Sequence, residues 1–478
     1  MSIKKPKPLL GYVMFKNEEY PFEFIEEDFR VILFPPTREK WNEYSSPFTF
    51  FSNIQEKNKK NNKKEWIESF ELEGITSEHY KVVFSVSDAP SNYHGFISYE
   101  VNWYFYCQDY FDFSQVSGFR LSGREIDCFY PPQVALKNEV LFREDNSIEK
   151  MQVTTTSGDL GRDCGSYSIR RGLKARVEVN AFATMHPNTA NNPIDAASYV
   201  YYFFSKPTGL KDIVISCYHI RGFFKYVAYR NNISFSSIET FILDEDGKRD
   251  FGGAIVFKEK NQEDDEKKAT ERIIKYDILG ENSSKLLTAI KSGKLGFAHI
   301  SESIDGRRHY SSGRMIMIMA EFEREFRSIY GTDYGRSELY KSTKEQIITL
   351  VEEYRVSHTG DAKKYAQSIK KTIQNLDNSF ADNVEKAISD CRNIIGPFIK
   401  NNYKGEIDLV IKDLSCRVGE IRNGIAHSKM DFKLDAIHLT DLKIIEELIY
   451  VMRLKKVGVK DEKIINGISS LFCDNARF

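Results

Sequence analysis

Six residues near the C-terminal end, Arg422-Asn423-Gly424-Ile425-Ala426-His427, carry the densest chemistry in this chain. A guanidinium grips phosphate with a planar fork of donors, and an imidazole takes up and releases a proton near neutral pH. Together they are a working set for cutting RNA: one holds the phosphate and the other moves the proton. The chain has nine histidines, and only His427 has an arginine five residues before it. The competing reading is structural. An arginine and a histidine at the end of a helix also interact favourably with its last carbonyls on a solvated face. Where the six residues sit decides between the two.

They close a strongly periodic stretch, Glu406 to His427. Ile407, Ile411, Leu414, Val418, Ile421 and Ile425 recur at alternating spacings of four and three, the seam of a helix that faces a bundle core. Ser415, Gly419, Asn423 and His427 stand four apart and form a second, small and polar face. Small side chains let another backbone approach, which fits the docking of a second subunit. Asn423 lies one turn before His427, where its amide can fix the imidazole tautomer. Arg422 is displaced from Asn423 by about 100° around the helix. Arg422 and His427 therefore meet at one phosphate only if the helix ends near the histidine or if they come from different subunits. Gly424 makes this turn easy to loosen.

The chain changes character around residue 290. Before it, β-favouring runs dominate: Gly11 to Phe15, Phe29 to Phe34, Tyr80 to Val86, Phe96 to Cys107, Ala175 to Ala183 and Tyr199 to Phe204. Turn signals such as Pro35-Pro36 and Ser122-Gly123 separate them. This is sandwich or barrel patterning, and a sandwich-like form is expected. Ile213, Cys217, Ile220, Phe224 and Val227 break the β pattern with helical spacing and predict one packed helix. Two charged stretches, Glu56 to Lys64 and Lys258 to Glu271, read as surface loops. After about residue 310 the pattern is helical. Helices are expected over Arg314 to Tyr330, Thr343 to Arg355, Ala362 to Leu376, Phe380 to Lys400, Glu406 to His427, Leu439 to Leu454 and Glu462 to Phe472. Short loops between amphipathic helices predict an antiparallel bundle. The expected fold class is α+β: a β-rich, sandwich-like region with a packed helix over residues 1–295, then an all-α bundle over 296–478.

Composition narrows the function classes. A 478-residue chain with a net charge of −1 offers no global basic field, so any RNA contact rests on a local patch or on association of subunits. Over residues 401–478 the two signs of charge nearly balance, which favours recognition by shape or by a groove between subunits. The seven cysteines are scattered, odd in number and without CxxC spacing, which points to a reducing compartment and away from zinc or disulfides. No apolar run reaches membrane-spanning length, and the N-terminus lacks the apolar core of a signal peptide. A cytoplasmic protein is expected. There is no HExxH, GxSxG or P-loop, so neither a metal nor an organic cofactor is expected.

On these residues the C-terminal region resembles a HEPN domain, a helical bundle found in many prokaryotic toxins and defence ribonucleases. Its hallmark is an arginine and a histidine with four to six residues between them, the first usually polar; Arg422-Asn423-x3-His427 has this form. The two-part layout resembles the ApeA family of anti-phage proteins. The resemblance covers essentially the whole chain, but it is specific at the hexapeptide and diffuse over the β-rich half. It implies a metal-independent endoribonuclease of abortive infection, acting on RNA and above all tRNA. Dimerisation, or a higher homo-oligomer, would bring two motifs into one composite site. The β-rich half would sense a phage-derived trigger or hold the nuclease off. Arg422, His427 and Asn423 would be the catalytic set. Such families often carry an acidic residue on the first bundle helix, where Glu323 is the best match among Glu321, Glu323 and Glu325; it would either support Arg422 or belong to a solvated helix face. Arg417, five residues before Arg422, either adds phosphate affinity or makes a surface ion pair. The alternative is a non-catalytic RNA-binding or dimerisation bundle attached to a β-rich ligand- or peptide-binding module.

Overall fold

The structure is a computed structural model that describes residue 5 and residues 9–45, 69–87, 91–93, 96–156, 160–186, 194–258, 264–331, 338–374, 379–426 and 435–473. The basic stretch Glu56 to Lys64 and the motif histidine His427 lie outside the described residues. Two compact units divide the chain. One takes Met1–Lys225, Asn232–Thr270 and Gly280–Lys294; the other takes Leu295–Phe478 together with Tyr226–Asn231 and Glu271–Leu279. The sequence places the boundary at 295/296; the two short segments that join the helical unit from further upstream have no periodicity of their own to mark them.

The first unit is built on strands β1 (Leu10–Phe15), β2 (Glu18–Ile25), β3 (Arg30–Leu33), β4 (Ser69–Thr76), β5 (Lys81–Ser87), β6 (Ser91–Tyr93), β7 (Phe96–Cys107) and β8 (Val116–Ser122). A small hairpin follows, β9 (Leu136–Phe142) and β10 (Ile148–Thr155). The remaining strands are β11 (Arg162–Arg170), β12 (Leu173–Met185), β13 (Ile194–Thr208), β14 (Ser237–Leu243) and β15 (Arg249–Phe257). Thirteen of them form one antiparallel sheet, ordered β11-β12-β13-β8-β14-β15-β7-β3-β2-β1-β4-β5, with β6 beside β7.

The sheet is not the sandwich-like form that the spacing of the runs predicts. β5 pairs back onto β7, so β7, β3, β2, β1, β4 and β5 close into a barrel. Two local features allow this. β7 is long enough to pair with β3 over Ile97–Glu100 and with both β5 and β15 over its second half, and its register against β5 slips by one residue at Asn102, a bulge that bends it. Between β1 and β4 the backbones nearly touch at two glycines. A Cβ on Gly74 would lie 2.1 Å from the Tyr12 carbonyl oxygen, and one on Gly11 would lie 2.1 Å from that of Ile75. Alternation in β2 then turns Tyr20, Phe22 and Phe24 inward. The Phe22 ring meets Phe84 at a centroid distance of 5.3 Å, Phe24 meets Tyr104 at 4.8 Å, and Tyr20 meets Phe15 at 5.2 Å.

The predicted helix is α1 (Leu210–Ala228), and its stripe Ile213, Cys217, Ile220, Phe224 and Val227 is buried throughout. Arg170 of β11 forks onto Asp212 at 2.7 and 2.8 Å, and the Tyr218 ring meets Phe257 of β15 at 5.4 Å. His219 lies 3.1 Å from the Tyr167 hydroxyl, and burial pushes its imidazole down to about 4. In the stretch Lys258 to Glu271, the described residues are not all loop: Glu266–Glu271 is a short helix.

The second unit contains α2 (Ser312–Tyr330), α3 (Glu338–Ser357), α4 (Gly360–Gln374), α5 (Phe380–Asp390), α6 (Arg392–Asn402), α7 (Ile407–Ala426), α8 (Ala436–Val457) and α9 (Asp461–Phe472). The sequence predicts one helix over Phe380 to Lys400; the structure divides it at Cys391. The Cys391 carbonyl accepts from the N–H groups of Ile394 and Ile395 and starts α6, in which Pro397 has no N–H to give residue 393. α3 and α4 pack on each other and bury only Ala366. α8 is the core element, buried on nearly every side. It carries four buried charges: Asp441, Glu446, Glu447 and Arg453. Arg453 pairs with Glu325 of α2, and Lys443 stands 3.8 Å from Glu447. Glu446 accepts from Arg314 at 2.6 Å, from the Tyr310 hydroxyl at 2.8 Å and from Tyr229. Burial raises the carboxyls of both Glu325 and Glu446, although their cationic partners pull the other way.

Closure of the barrel makes Gly74→Ala costly: about 1–3 kcal/mol of unfolding free energy, read as a lower urea midpoint. Acid should also weaken the fold through its buried histidines. Burial pushes His299 from 6.5 down to about 3, so the folded protein resists a proton that the unfolded chain accepts. The urea midpoint should fall as pH drops from about 6.5 towards 3, and His299→Phe should flatten that fall if it keeps the fold.

Candidate functional site

α7 presents two faces, as its sequence pattern requires. Ile411, Leu414, Val418 and Ile421 are fully buried, and Ile407 and Ile425 at the ends are half-buried. The small polar face is covered as well. Ser415 and Gly419 are buried, and a Cβ on Gly419 would lie 3.4 Å from the Cβ of Ala381 on α5. The expectation of a second subunit on this part of the stripe is therefore corrected: the chain's own helix α5 fills it. A Cβ at 419 would make ordinary van der Waals contact there, so the space between the two helices suits a small side chain.

One turn further on, the surface opens. Arg422 and Asn423 are both exposed, while Gly424 is buried. Arg422 Nη1 lies 3.5 Å from Asn423 Oδ1, at the outer limit of a hydrogen bond. Its Nε lies 3.5 Å from Glu323 Oε1 on α2. Glu323 is in turn 3.6 Å from Arg327, one helical turn along. The three acids on α2 thus part company. Glu321 turns inward to Arg324, Glu325 to Arg453, and Glu323 alone faces Arg422. With both guanidinium contacts long and Arg422 still 42% exposed, most of its donors remain open to a phosphate oxygen. α7 ends at Ala426, the residue directly before His427 in the sequence.

Arg417 is otherwise engaged. Its Nε and Nη2 fork onto Asp441 at 2.7 and 2.8 Å, and the Tyr403 hydroxyl donates to the same carboxylate at 2.6 Å. These hydrogen bonds raise the Arg417 guanidinium further above its ordinary value. Of its two sequence readings, the structure shows the ion pair, although its acid partner is wholly buried. Asp441 and Tyr403 had no part in the sequence reading. The available signal was an acid set into the apolar period of Leu439 to Leu454, at a position that had to be inside. His438, for which the sequence offers no role, accepts from the Asp435 N–H at 3.1 Å and closes a capping box at the start of α8.

Among the described residues no group of three or more His, Cys, Asp or Glu side chains is placed to hold a metal ion, and no helix is long and apolar enough to cross a membrane. All seven cysteines are free, five of them buried. No protein-family model, no curated protein and no solved structure matches the chain.

If α5 is the true occupant of the small face, Gly419→Leu should disturb the bundle and not an assembly. The expected loss is about 1–3 kcal/mol of stability, with the oligomeric state unchanged by light scattering.

Proposed function

We propose that this chain is a metal-independent endoribonuclease whose reaction centre is built from Arg422, Asn423 and His427. The observation that supports this reading best is the exposed Arg422–Asn423 pair in the last described turn of a bundle helix, steadied by Glu323, with His427 five residues after Arg422 in the sequence. A purely structural arginine would be expected to be consumed by its partner, as Arg417 is by Asp441.

The chemistry follows from the residue types. The ribose 2′-hydroxyl loses a proton and attacks the adjacent phosphorus, and the bond to the leaving 5′-oxygen breaks. The products are a 2′,3′-cyclic phosphate and a 5′-hydroxyl end. His427 takes the proton or returns it to the leaving oxygen, since an ordinary imidazole titrates at about 6.5. Arg422 stabilises the charge that builds on the phosphoryl oxygens. The Asn423 carbonyl faces Arg422, which leaves its NH2 group to orient the imidazole. One arginine and one histidine give half of a two-proton reaction, so a second copy completes the site. With the Ser415–Gly419 face filled, that copy approaches the exposed end that carries Arg422 and Asn423. Transfer RNA is the favoured substrate and antiviral defence the favoured setting. The β-rich unit serves as the sensor of a phage-derived trigger, and the cytoplasm is the site of action.

The test uses the purified full chain and labelled tRNA, with sequencing of the cleaved ends. His427→Ala and Arg422→Ala should each keep the circular-dichroism spectrum and lose cleavage by about 10²–10⁴-fold. Glu323→Gln should lose less, with a stability change of at most about 1 kcal/mol. Chelator should leave the rate unchanged, and the ends should be cyclic phosphate and 5′-hydroxyl. Parent protein that binds RNA without cutting it would favour the non-catalytic binding bundle instead. Cleavage by His427→Ala at the parent rate would sink the assignment.

A further inference from the structure

A second concentration of cationic chemistry lies within the helical unit, away from the motif. Arg272, Arg307, Arg308 and Lys443 line one cavity of about 420 Å3, together with Tyr310 and Thr440. That volume lies at the lower end of the range for small-molecule sites. Among the described residues the only acid in the lining is Glu446. Its carboxylate is already committed, one oxygen to Arg314 and Tyr229 and the other to Tyr310. Three arginines therefore share the cavity with a carboxylate that Arg314 already neutralises, beside Lys443, whose ammonium stands 3.8 Å from Glu447.

The arginines are held for a ligand of one charge sign. Arg307 donates through Nη1 to the Leu471 carbonyl at 2.6 Å and through Nη2 to that of Ala228, which fixes the plane of its guanidinium over the Tyr229 ring. Its Nε is buried without an acceptor, and so is Nε of Arg272. Buried donors of this kind are rare in folded proteins and mark a place where an acceptor is wanted. Burial, with Arg230 and Arg272 nearby, pushes Arg307 down to about 10, as expected where cations crowd without an anion. A phosphate group answers each of these features. Its oxygens accept from guanidinium forks and from an ammonium, and its charge offsets several cations at once.

We propose that this cavity binds a phosphate monoester of nucleotide size. The group comes either from a free mononucleotide or from the phosphorylated end of an RNA strand. The proposal does not rest on the cleavage reading, because Arg422 and Asn423 are not in the lining. It does give the pocket a route to α7. Thr440 and Lys443 flank Asp441, the residue through which Arg417 ties α7 to α8. A ligand on Thr440 and Lys443 is one residue, and two residues, from that tie.

The test is calorimetric titration of the full chain at low salt with inorganic phosphate, adenosine 5′-monophosphate, adenosine, and a pentaribonucleotide with and without a 5′-phosphate. Adenosine monophosphate should bind at least tenfold more tightly than adenosine. Its affinity should fall below pH 6, where the phosphate takes its second proton at about that value. Arg308→Ala, at an exposed position, and Arg272→Ala should each weaken binding at least tenfold, while Lys400→Ala, at an exposed position of α6 and outside the cavity, should not. Phosphate-dependent binding of the pentamer but not of the mononucleotide assigns the cavity to an RNA end and keeps the proposal. Equal affinity for adenosine and its monophosphate, full affinity in the Arg308→Ala variant, or no binding of any probe at millimolar concentration overturns it.

Discussion

The helical unit is organised by the need to neutralise charge inside its own core. α8 is buried on nearly every side, yet it carries Asp441, Glu446, Glu447 and Arg453. An isolated charge at such a position is far too costly to keep, so each must find a partner. The partners come from separate elements: Arg417 from α7, Glu325 from α2, Arg314 from the start of α2, Tyr229 and Tyr310 from the segments before it. Oily contacts alone would let these helices slide or rotate a little against α8. The ion pairs do not, because a slip of one residue would leave a carboxylate or guanidinium alone in the core. This is a constraint on arrangement more than a source of stability, since paired buried charges gain little over well-packed apolar side chains.

The candidate site inherits its geometry from that constraint. Arg417 binds Asp441 through two parallel bonds, which sets the rotation of α7 about its axis. Arg422 lies five residues on, about 7.5 Å along the helix, and so emerges at a defined angle beside Glu323. The Ala381–Gly419 contact fixes the same helix from the other side. Two anchors of different kinds, one ionic and one steric, thus present an exposed arginine that neither of them uses. The basic cavity depends on the same core helix, for Glu446 is both the partner of Arg314 and part of its lining.

Periodicity carried a good deal of this into the sequence. The strands of the β-rich half, the stripe of α1 and the seam of α7 are all repeating patterns, and repeats survive in a single sequence. What did not show is what depends on distant partners. Barrel closure hinges on Gly11 and Gly74 and on one slipped residue in β7, none of which alters the alternation of apolar residues. The split at Cys391 leaves no mark in the apolar spacing, which runs on through Val384, Ile388, Cys391, Ile395 and Phe398. Glu446 and Arg453 look like surface residues until the elements that neutralise them are in place, and Asp441 is marked only by its place in an apolar period. The small face of α7 was legible as a face, but whether it meets a sister chain or the chain's own α5 is a question of tertiary packing.

Closing part of the sheet has a consequence for how the β-rich unit behaves in a crowd. An open sheet of thirteen strands offers two long rows of unpaired amides and carbonyls, and such rows recruit strands from other molecules. Here one end of the sheet is folded back onto β7 and presents no row. The other end is β11, whose register against β12 slips twice and which carries Arg162, Asp163 and Arg170. Twisted by those irregularities and studded with charge, it is a poor template for a stranger's backbone. The thirteen-stranded sheet therefore gives a stranger's strand few places to add.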